Sequence, residues 1–482
     1  MARSDWQPTP EQQIFIENYS KYIEAGTAAL FAGAGLSRSA GFVDWRGLLK
    51  GIARELGLDI AQEQDLVAVA QYFLNAKRNR NRLNEAIIEE FDKNATLTAN
   101  HYLLARLPIR SIWTTNYDRL IEHAFGNAGR AVDVKMTEND FALWHRGDTV
   151  LYKMHGDVKQ PNFAVLTKDD YEKYERSHPI FLEHLRMDLV TKHFLFVGFS
   201  FTDPNLEQIF SRVRVFLTEN GPQHFAIMRD PRSRNKTDRR HMALWIEDLK
   251  RFNIETVLVS DYGDIEKLLE AISRFVHRST VFVSGSSREF SAGATEGNIP
   301  FLELARAIGS GLISGGYNLV SGFGVGLGEQ VVLGALRAMY SINVDRERVV
   351  IRPFPTALVE GPEQQKLNTQ TRYDLISRAG TVIFLGGSQI DEQGNLQPSR
   401  GVLEEFEIAK RMKRFLIPVG ATGDAAARIW KDVSDNFGTF YPKSNKRLRK
   451  QFDLLGNPTL SVPELTAAIL ALVRIAAAVR QE

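Results

Sequence analysis

Two glycine-rich turns of the kind that cradle phosphate stand far apart in the chain, AGAGLS at residues 32–37 and SGFGVGLGE at residues 321–329. Glycine lets a backbone approach a pyrophosphate closely, and the amides and dipole of a helix that follows such a turn favour its negative charge. The candidate contacts are Gly33, Ala34, Gly35 and Ser37 in the first turn, and Gly322, Gly324 and Gly326 in the second. Two more turns of small residues accompany the second. One is SGSSRE at residues 284–289, with Gly285, Ser286, Ser287 and Arg288; the other is Gly386-Gly387-Ser388. Successive amides in such turns form concave nests for anions. The spacing predicts two nucleotide pockets in one chain. For AGAGLS alone, tight strand-to-helix packing without a ligand is an equal reading. Three glycine-rich strand ends on one sheet edge converge on one crevice, which favours a ligand there.

Such turns need strands to aim them. Short β-branched and aromatic runs alternate with helical patterns through both halves, the signature of parallel sheets with crossover helices. In the first half strands are expected at residues 28–32, 111–115, 150–154, 194–197, 225–228 and 256–259. A closing helix at 264–276 has apolar residues at Ile265, Leu268, Leu269, Ile272 and Val276, and a polar joint at 277–280 follows it. In the second half the expected strands are 280–284, 318–321, 348–351, 381–385 and 414–419, with helices at 298–310 and 328–340. The fold class is α/β, with two Rossmann-like domains whose parallel sheets are flanked by helices, at residues 1–278 and 279–482.

The first turn continues as GAGLSRSAGFVDWR, from Gly33 to Arg46. Gly33-Ala34-Gly35-x-Ser37 followed by Gly41, Asp44, Trp45 and Arg46 resembles the NAD-binding loop of the sirtuin family. Thr114-Thr115-Asn116-Tyr117-Asp118 resembles the sirtuin Thr-Gln-Asn-x-Asp, His155-Gly156-Asp157 its His-Gly, and Gly198-Phe199-Ser200 its later Gly-x-Ser beside the adenine ribose. The resemblance implies NAD as substrate, with Asn116 holding a water or ribose hydroxyl under the anomeric carbon and His155 as general base. Imidazole suits that task near neutral pH. Asp118 and Ser37 become candidates for ribose or phosphate contacts, Asp44, Gly198 and Ser200 for the cofactor loop, and Arg46 for closing it. Singly, Asn116 could be a helix cap, His155 a structural histidine and Asp118 a partner of a helix dipole. The sirtuin four-cysteine zinc module is absent and Thr115 replaces the glutamine, which points to NAD hydrolysis with water as acceptor and no metal.

The second half resembles the SLOG superfamily, which includes nucleotide phosphoribohydrolases with a catalytic arginine and Gly-Gly-x-Gly-Thr-x-x-Glu. The comparable positions are Arg372, Gly386-Gly387 and Gly401-Val402-Leu403-Glu404-Glu405. Residues 388–400 intervene where those enzymes have one residue, and valine replaces threonine. The resemblance thus implies a pocket that binds a modified nucleotide rather than cleaving it, with Arg372 as a planar fork on phosphate and Glu405 accepting from ribose hydroxyls. Ser388, Gln389 and Arg400 belong to the rebuilt loop, and Arg378 is either a further contact or a surface salt bridge.

A length of 482 residues, 44% of them hydrophobic and 24% charged, describes a globular chain of two or three domains. A formal charge of +2 offers no global field for nucleic acid or an anionic membrane. Basic clusters at 77–82, 229–240 and 443–450 read as solvated faces. The chain has no cysteine, which excludes disulfides, thiol nucleophiles and thiolate zinc sites and fits a reducing cytoplasm. No window reaches the roughly 18 uninterrupted apolar residues of a membrane span, and the N-terminus has no secretory pattern.

A sirtuin-like domain joined to a SLOG domain is similar to the effector family of Thoeris anti-phage defence. That resemblance implies a cytoplasmic homo-oligomer, a tetramer, in which a cyclic ADP-ribose isomer made by a TIR-domain protein binds the SLOG pocket as activator. NAD destruction and abortive infection would follow. Two other functions stay open on the residues: a nucleotide phosphoribohydrolase acting in the second half, and a non-catalytic nucleotide-binding scaffold.

Overall fold

The computed structural model describes residues 6–143, 147, 149–199, 201, 210, 221–230, 235–286, 295–296, 299–324, 326–342, 348–355, 361–390, 396–442 and 444–478. The chain divides into two compact units, Met1–Val276 and His277–Glu482.

In the first unit seven strands form one parallel sheet: β1 (Ala28–Ala32), β2 (Ser111–Thr114), β3 (Val132–Lys135), β4 (Thr149–Lys153), β5 (His193–Val197), β6 (His224–Arg229) and β7 (Ile254–Val259). Their order is β3-β4-β2-β1-β5-β6-β7. The central strand AALFA is buried along its whole length, as a strand covered by helices on both faces must be. From β1 the chain steps to β2 on one side, whereas from β5 it steps to β6 on the other. The carboxyl ends of β1 and β5 therefore flank the point where open α/β sheets bind ligands.

Strand β3 is not among the six the sequence suggests, because VDVK has no apolar run for a pattern to catch. Its Lys135 is nonetheless buried, its ammonium paired with Asp133 at 3.0 Å and donating to the Asp140 carbonyl at 2.6 Å.

Between β1 and β2 lie several helices, among them Lys50–Glu55, Leu66–Lys77 and Asn81–Phe91. Their inward residues Leu49, Ile52, Phe73 and Ile87 share a small core with Tyr117 and Leu166, which follow β2 and β4. This places a helical layer over the carboxyl ends of those strands. The helix Pro10–Glu24 begins with Pro10 behind a Thr9–Gln12 capping box, and Phe15 and Tyr19 join the core of the closing helix. That closing helix spans Asp264–Val276 and buries Ile265, Leu268, Leu269 and Ile272.

The second unit has a five-stranded parallel sheet of β8 (Thr280–Ser286), β9 (Asn318–Ser321), β10 (Val349–Ile351), β11 (Thr381–Gly386) and β12 (Phe415–Pro418), in the order β10-β9-β8-β11-β12. This is a doubly wound, Rossmann-like order, with the reversal of crossover between β8 and β11. Helices at Phe301–Ser314 and Leu327–Ile342 fill the places expected for them, the first starting three residues later than its apolar pattern suggests. The residues that interrupt the hydrolase-like glycine motif contribute an antiparallel pair, Ser388–Ile390 with Leu396–Pro398. Among the described residues no helix is long and apolar enough to cross a membrane.

Candidate functional site

At the reversal point of the first sheet, the AGAG turn and the end of β5 meet backbone to backbone. The amide of Gly33 donates to Val197 O at 2.9 Å and that of Gly35 to Gly198 O at 2.8 Å. A Cβ on Gly33 or Gly35 would run into Gly198, and one on Gly198, whose φ is +65°, into the Leu36 amide. These three glycines thus close the seam between β1 and β5, and two amides that a pyrophosphate could have used already have partners. Ala34 opens the short helix Ala34–Arg38 behind Gly33 as its N-cap.

Hydrogen bonds then join the ends of β1 and β2. Thr114 Oγ1 donates to Ala32 O at 2.8 Å and accepts from the Asn116 amide at 3.0 Å. The Asn116 side-chain amide donates to Gly33 O and to Ser37 Oγ, both at 3.0 Å. Ser37 in turn donates to Asp118 Oδ2 at 2.6 Å, and Asp118 Oδ1 caps the Leu120 amide at 3.0 Å. Asn116, Ser37 and Asp118 are all buried. With both amide protons of Asn116 directed at the first turn, its Oδ1 is the end available to a water or a sugar hydroxyl.

His155 lies two residues beyond the end of β4 and is buried, its ring edge-on to Tyr171 and Tyr174 with centroids 5.5 and 6.2 Å away. The Val165 amide bonds back to His155 O at 3.0 Å, and the Tyr117 hydroxyl holds Val165 O at 2.7 Å. Tyr171 also meets Trp45 at 6.4 Å, which brings the first turn's continuation to the histidine's side of the site. His178 stacks on Tyr174 at 4.4 Å. Burial, and then repulsion from the neighbouring His155 imidazole, push its pKa down to about 4, so at neutral pH it adds no charge there.

Two loop residues take local roles. Asp44 caps the helix Trp45–Leu48 through the Gly47 amide at 2.9 Å and pairs with Arg38 at 3.2 Å. Arg46 donates to Ile60 O rather than closing over the turn. Ser200 lies outside the described residues.

Lys153, the last residue of β4, belongs to none of the motifs in the sequence. Its wholly buried ammonium donates to the carbonyls of Tyr117 and Asp118 and pairs with Glu122 at 3.1 Å and with Asp157. Burial alone would lower its pKa, but Glu122, Asp157 and Asp118 more than offset that and hold it above the ordinary lysine value. The signal for it was a lysine ending an apolar strand two positions before His155.

In the second unit, the ends of β8 and β11 face each other across the other reversal point. Gly285 leaves no room for a Cβ against Leu385 O. The Gly387 amide donates to Ser286 O at 3.0 Å, the Gly386 amide to Thr422 Oγ1 at 2.8 Å, and Ser286 Oγ to Ser388 O at 3.3 Å. Beside them Glu405 is buried and accepts from the Ser284 hydroxyl. Arg372 pairs with Glu404 at 3.0 Å and with Glu405 at 3.6 Å, and its guanidinium lies 5.3 Å from the centre of the Phe354 ring. Gly322 makes room for that ring and Gly401 for the guanidinium. Glu404 and Phe354 had no assigned role from sequence; only the fold reveals that they flank Arg372.

Gly324 has open space where a Cβ would stand, and Gly326 adopts φ +82° just before the helix that starts at Leu327. Gln389 Oε1 accepts from the Arg400 amide at 2.9 Å, which seats the interrupting ribbon on the helix Arg400–Arg411. Arg378 is held by Asp374 at 2.9 Å, the salt-bridge alternative. Ser287 and Arg288 lie outside the described residues.

Two family models match the chain: a SIR2-like domain over residues 110–255, and the Sir2- and TIR-associating SLOG family over residues 264–476. A protein of Bacillus cereus (strain MSX-D12), NAD(+) hydrolase ThsA, is 42% identical over 97% of this chain and 98% of its own length. A protein of the same name from Cytobacillus dafuensis is 36% identical over 96% of each. Defense-associated sirtuin 2 of Bacillus subtilis is 27% identical over 45% of this chain and 22% of its own length.

Proposed function

The chain belongs to the ThsA family of NAD(+) hydrolases, and from that premise we propose that its first unit cleaves NAD+ with Asn116 and His155 and that its second unit binds the nucleotide that turns cleavage on. The observation that carries the first part is the hydrogen-bonded chain Asn116–Ser37–Asp118 across the ends of β1 and β2, beside the β1–β5 reversal point.

The reaction breaks the bond between C1′ of the nicotinamide ribose and the pyridinium nitrogen. Nicotinamide leaves neutral, and the ribose passes through an oxocarbenium-like state that a water oxygen attacks at C1′. His155 takes the proton released from that water. Asn116, fixed by its bonds to Gly33 and Ser37, presents Oδ1 to the water or to a ribose hydroxyl, a positioning role that needs no charge. Gly33, Ala34, Gly35, Ser37, Asp118 and Gly198 shape the wall that receives the nucleotide. Asp44 and Arg46 act at one remove, by fixing the loop that carries Trp45.

In the second unit Arg372 would meet the phosphates and Glu405 the ribose hydroxyls of a cyclic ADP-ribose isomer, with the turns at 285–286, 322–326 and 386–388 around them. A TIR-domain protein supplies that activator. The working form is a homo-oligomer, a tetramer, and NAD loss in an infected bacterium is the anti-phage outcome, an abortive infection. Support for this part comes from the description of the matching SLOG family as Sir2- and TIR-associating and from the defence role in a more distant relative's name.

Incubation of the purified protein with NAD+, with and without cyclic ADP-ribose isomers, tests both parts, the products being resolved by chromatography. Nicotinamide release that needs the cyclic nucleotide, and that Asn116→Ala or His155→Ala abolishes, is the expected result. Release surviving both substitutions would remove those residues from the chemistry. Release lost on Glu405→Gln even under full activation would favour chemistry in the second unit.

A further inference from the structure

Four groups converge on one buried ammonium. Lys153 ends β4, and its Nζ reaches the carbonyls of Tyr117 and Asp118, the carboxylate of Glu122 on the helix Leu120–Asn127, and the carboxylate of Asp157. Tyr117 and Asp118 directly follow Asn116; Asp157 is two residues beyond His155. The ammonium therefore ties the loop after β2 to the loop after β4 through several bonds from one atom, where the Tyr117 hydroxyl makes a single one, to Val165 O at 2.7 Å. Backbone bonds run beside it, Val158 N to Tyr117 O at 2.9 Å and Gly156 N to Lys153 O at 3.0 Å. Without the ammonium, the Asp157 carboxylate would lose its buried cation and Glu122 would keep only Arg119, at 3.8 Å.

We infer that Lys153 is a positioning residue for NAD+ cleavage, a buried cation that fixes the distance and orientation between the loop carrying Asn116 and the loop carrying His155. This rests on the reading of those two residues as the reacting pair. A buried cation used only to balance charge needs carboxylates around it. Lys153 also takes two backbone carbonyls from the Asn116 loop, and these carry orientation rather than net charge. Its geometry suits a strut: four acceptors share the three N–H donors of one ammonium, which leaves little freedom to the two loops. The turn at Gly33 and Gly35, on the far side of Asn116, is held by β5 and owes nothing to Lys153.

The consequence is a split between chemistry and substrate binding. In Lys153→Met the side chain keeps its apolar stem and loses the ammonium; kcat should fall about a hundredfold, as displacements near 1 Å do, while KM changes by no more than about threefold. Stability will fall as well, because the variant strands buried carboxylates. The double variant Lys153→Met with Asp157→Asn removes one of those and serves as the discriminating case.

Nicotinamide release is to be measured in the full chain with saturating activator, against NAD+ concentration, alongside thermal unfolding of each variant. Positioning predicts that the double variant regains much of the melting temperature but not kcat. If kcat returns together with stability, or if folded Lys153→Met turns over like the parent, Lys153 only balances charge and the inference falls. Should Lys153→Met not fold, the same comparison is made with Glu122→Gln, which keeps the ammonium and the backbone bonds. Positioning then predicts that kcat falls less than tenfold, and a hundredfold loss there would overturn it. Parallel assays of Asn116→Ala and His155→Ala separate the two levels: if those retain activity the reacting pair itself is misassigned, whereas if they are inactive and Lys153→Met is not, the fault lies with Lys153 alone.

Discussion

Glu405 shows how one side chain can set the conditions under which a pocket works. Burial pushes its pKa up to about 7; the Ser284 hydroxyl and Arg372 oppose that rise, and neighbouring Glu404 adds to it. The folded value thus stands above the ordinary glutamate value of 4.5. Between the two values the folded chain holds a proton that the unfolded chain has lost, so this group's contribution to stability is complete on the acid side and vanishes as pH rises through about 7. The same sign governs an anionic ligand. A neutral Glu405 neither repels a phosphate nor competes for Arg372, whereas the carboxylate does both. Affinity of cyclic ADP-ribose isomers should accordingly weaken above pH 7, by at most about tenfold per pH unit because one proton is linked. Calorimetric titration of the full chain at a series of pH values checks this, with Glu405→Gln expected to give a flatter profile. A parent profile already flat through neutrality would mean that the ligand does not sense this carboxyl.

At the scale of elements, the glycines divide into those the fold consumes and those it leaves open. Gly33, Gly35 and Gly198 close the β1–β5 seam, and Gly322 and Gly401 admit Phe354 and Arg372, so a methyl group at any of them disturbs packing before it disturbs a ligand. Gly324 differs: its φ is not in the left-handed region and, among the described residues, nothing stands within 4 Å of an added Cβ. Gly324→Ala should leave the melting temperature within about one degree, yet weaken nucleotide binding at least tenfold if phosphate approaches that backbone. Unchanged binding would place the ligand elsewhere along the turn. The sequence made the alternation of strand and helix, the parallel sheets and the order of the motifs legible, because buried strands such as AALFA and TVIFLG are apolar throughout. It hid β3, where a buried lysine is neutralised within its own strand. It also left the glycines ambiguous. A glycine needed against a carbonyl and one needed against a phosphate look identical until the neighbouring strand is in place. Asp44 is the same case in a side chain, a motif position whose bond to the Gly47 amide appears only with the helix.

For the whole molecule, the proposed activation turns on how much free energy a nucleotide in the second unit would deliver to a reaction in the first. Each unit has its own sheet and its own hydrophobic core, so heating should give two transitions rather than one. A ligand that binds only the second unit raises that unit's transition, by about 2.7 kcal/mol at a hundred times its Kd. To turn activity from mostly off to mostly on it must favour the active arrangement by about 5.5 kcal/mol, and tight binding to both arrangements alike would switch nothing. Arg372 is the group best able to supply such a difference, since it is already held by Glu404, Glu405 and the Phe354 face and can exchange carboxylate for phosphate partners. Arg372→Ala should abolish both the nucleotide-dependent rise of the second transition and nucleotide-dependent nicotinamide release. NAD+ binding to the first unit, followed by calorimetric titration in the His155→Ala background, should be unchanged. Loss of NAD+ binding along with activation would show the arginine to be a general structural support, and full activation in Arg372→Ala would move the sensing contacts to other residues of the β8–β11 crevice.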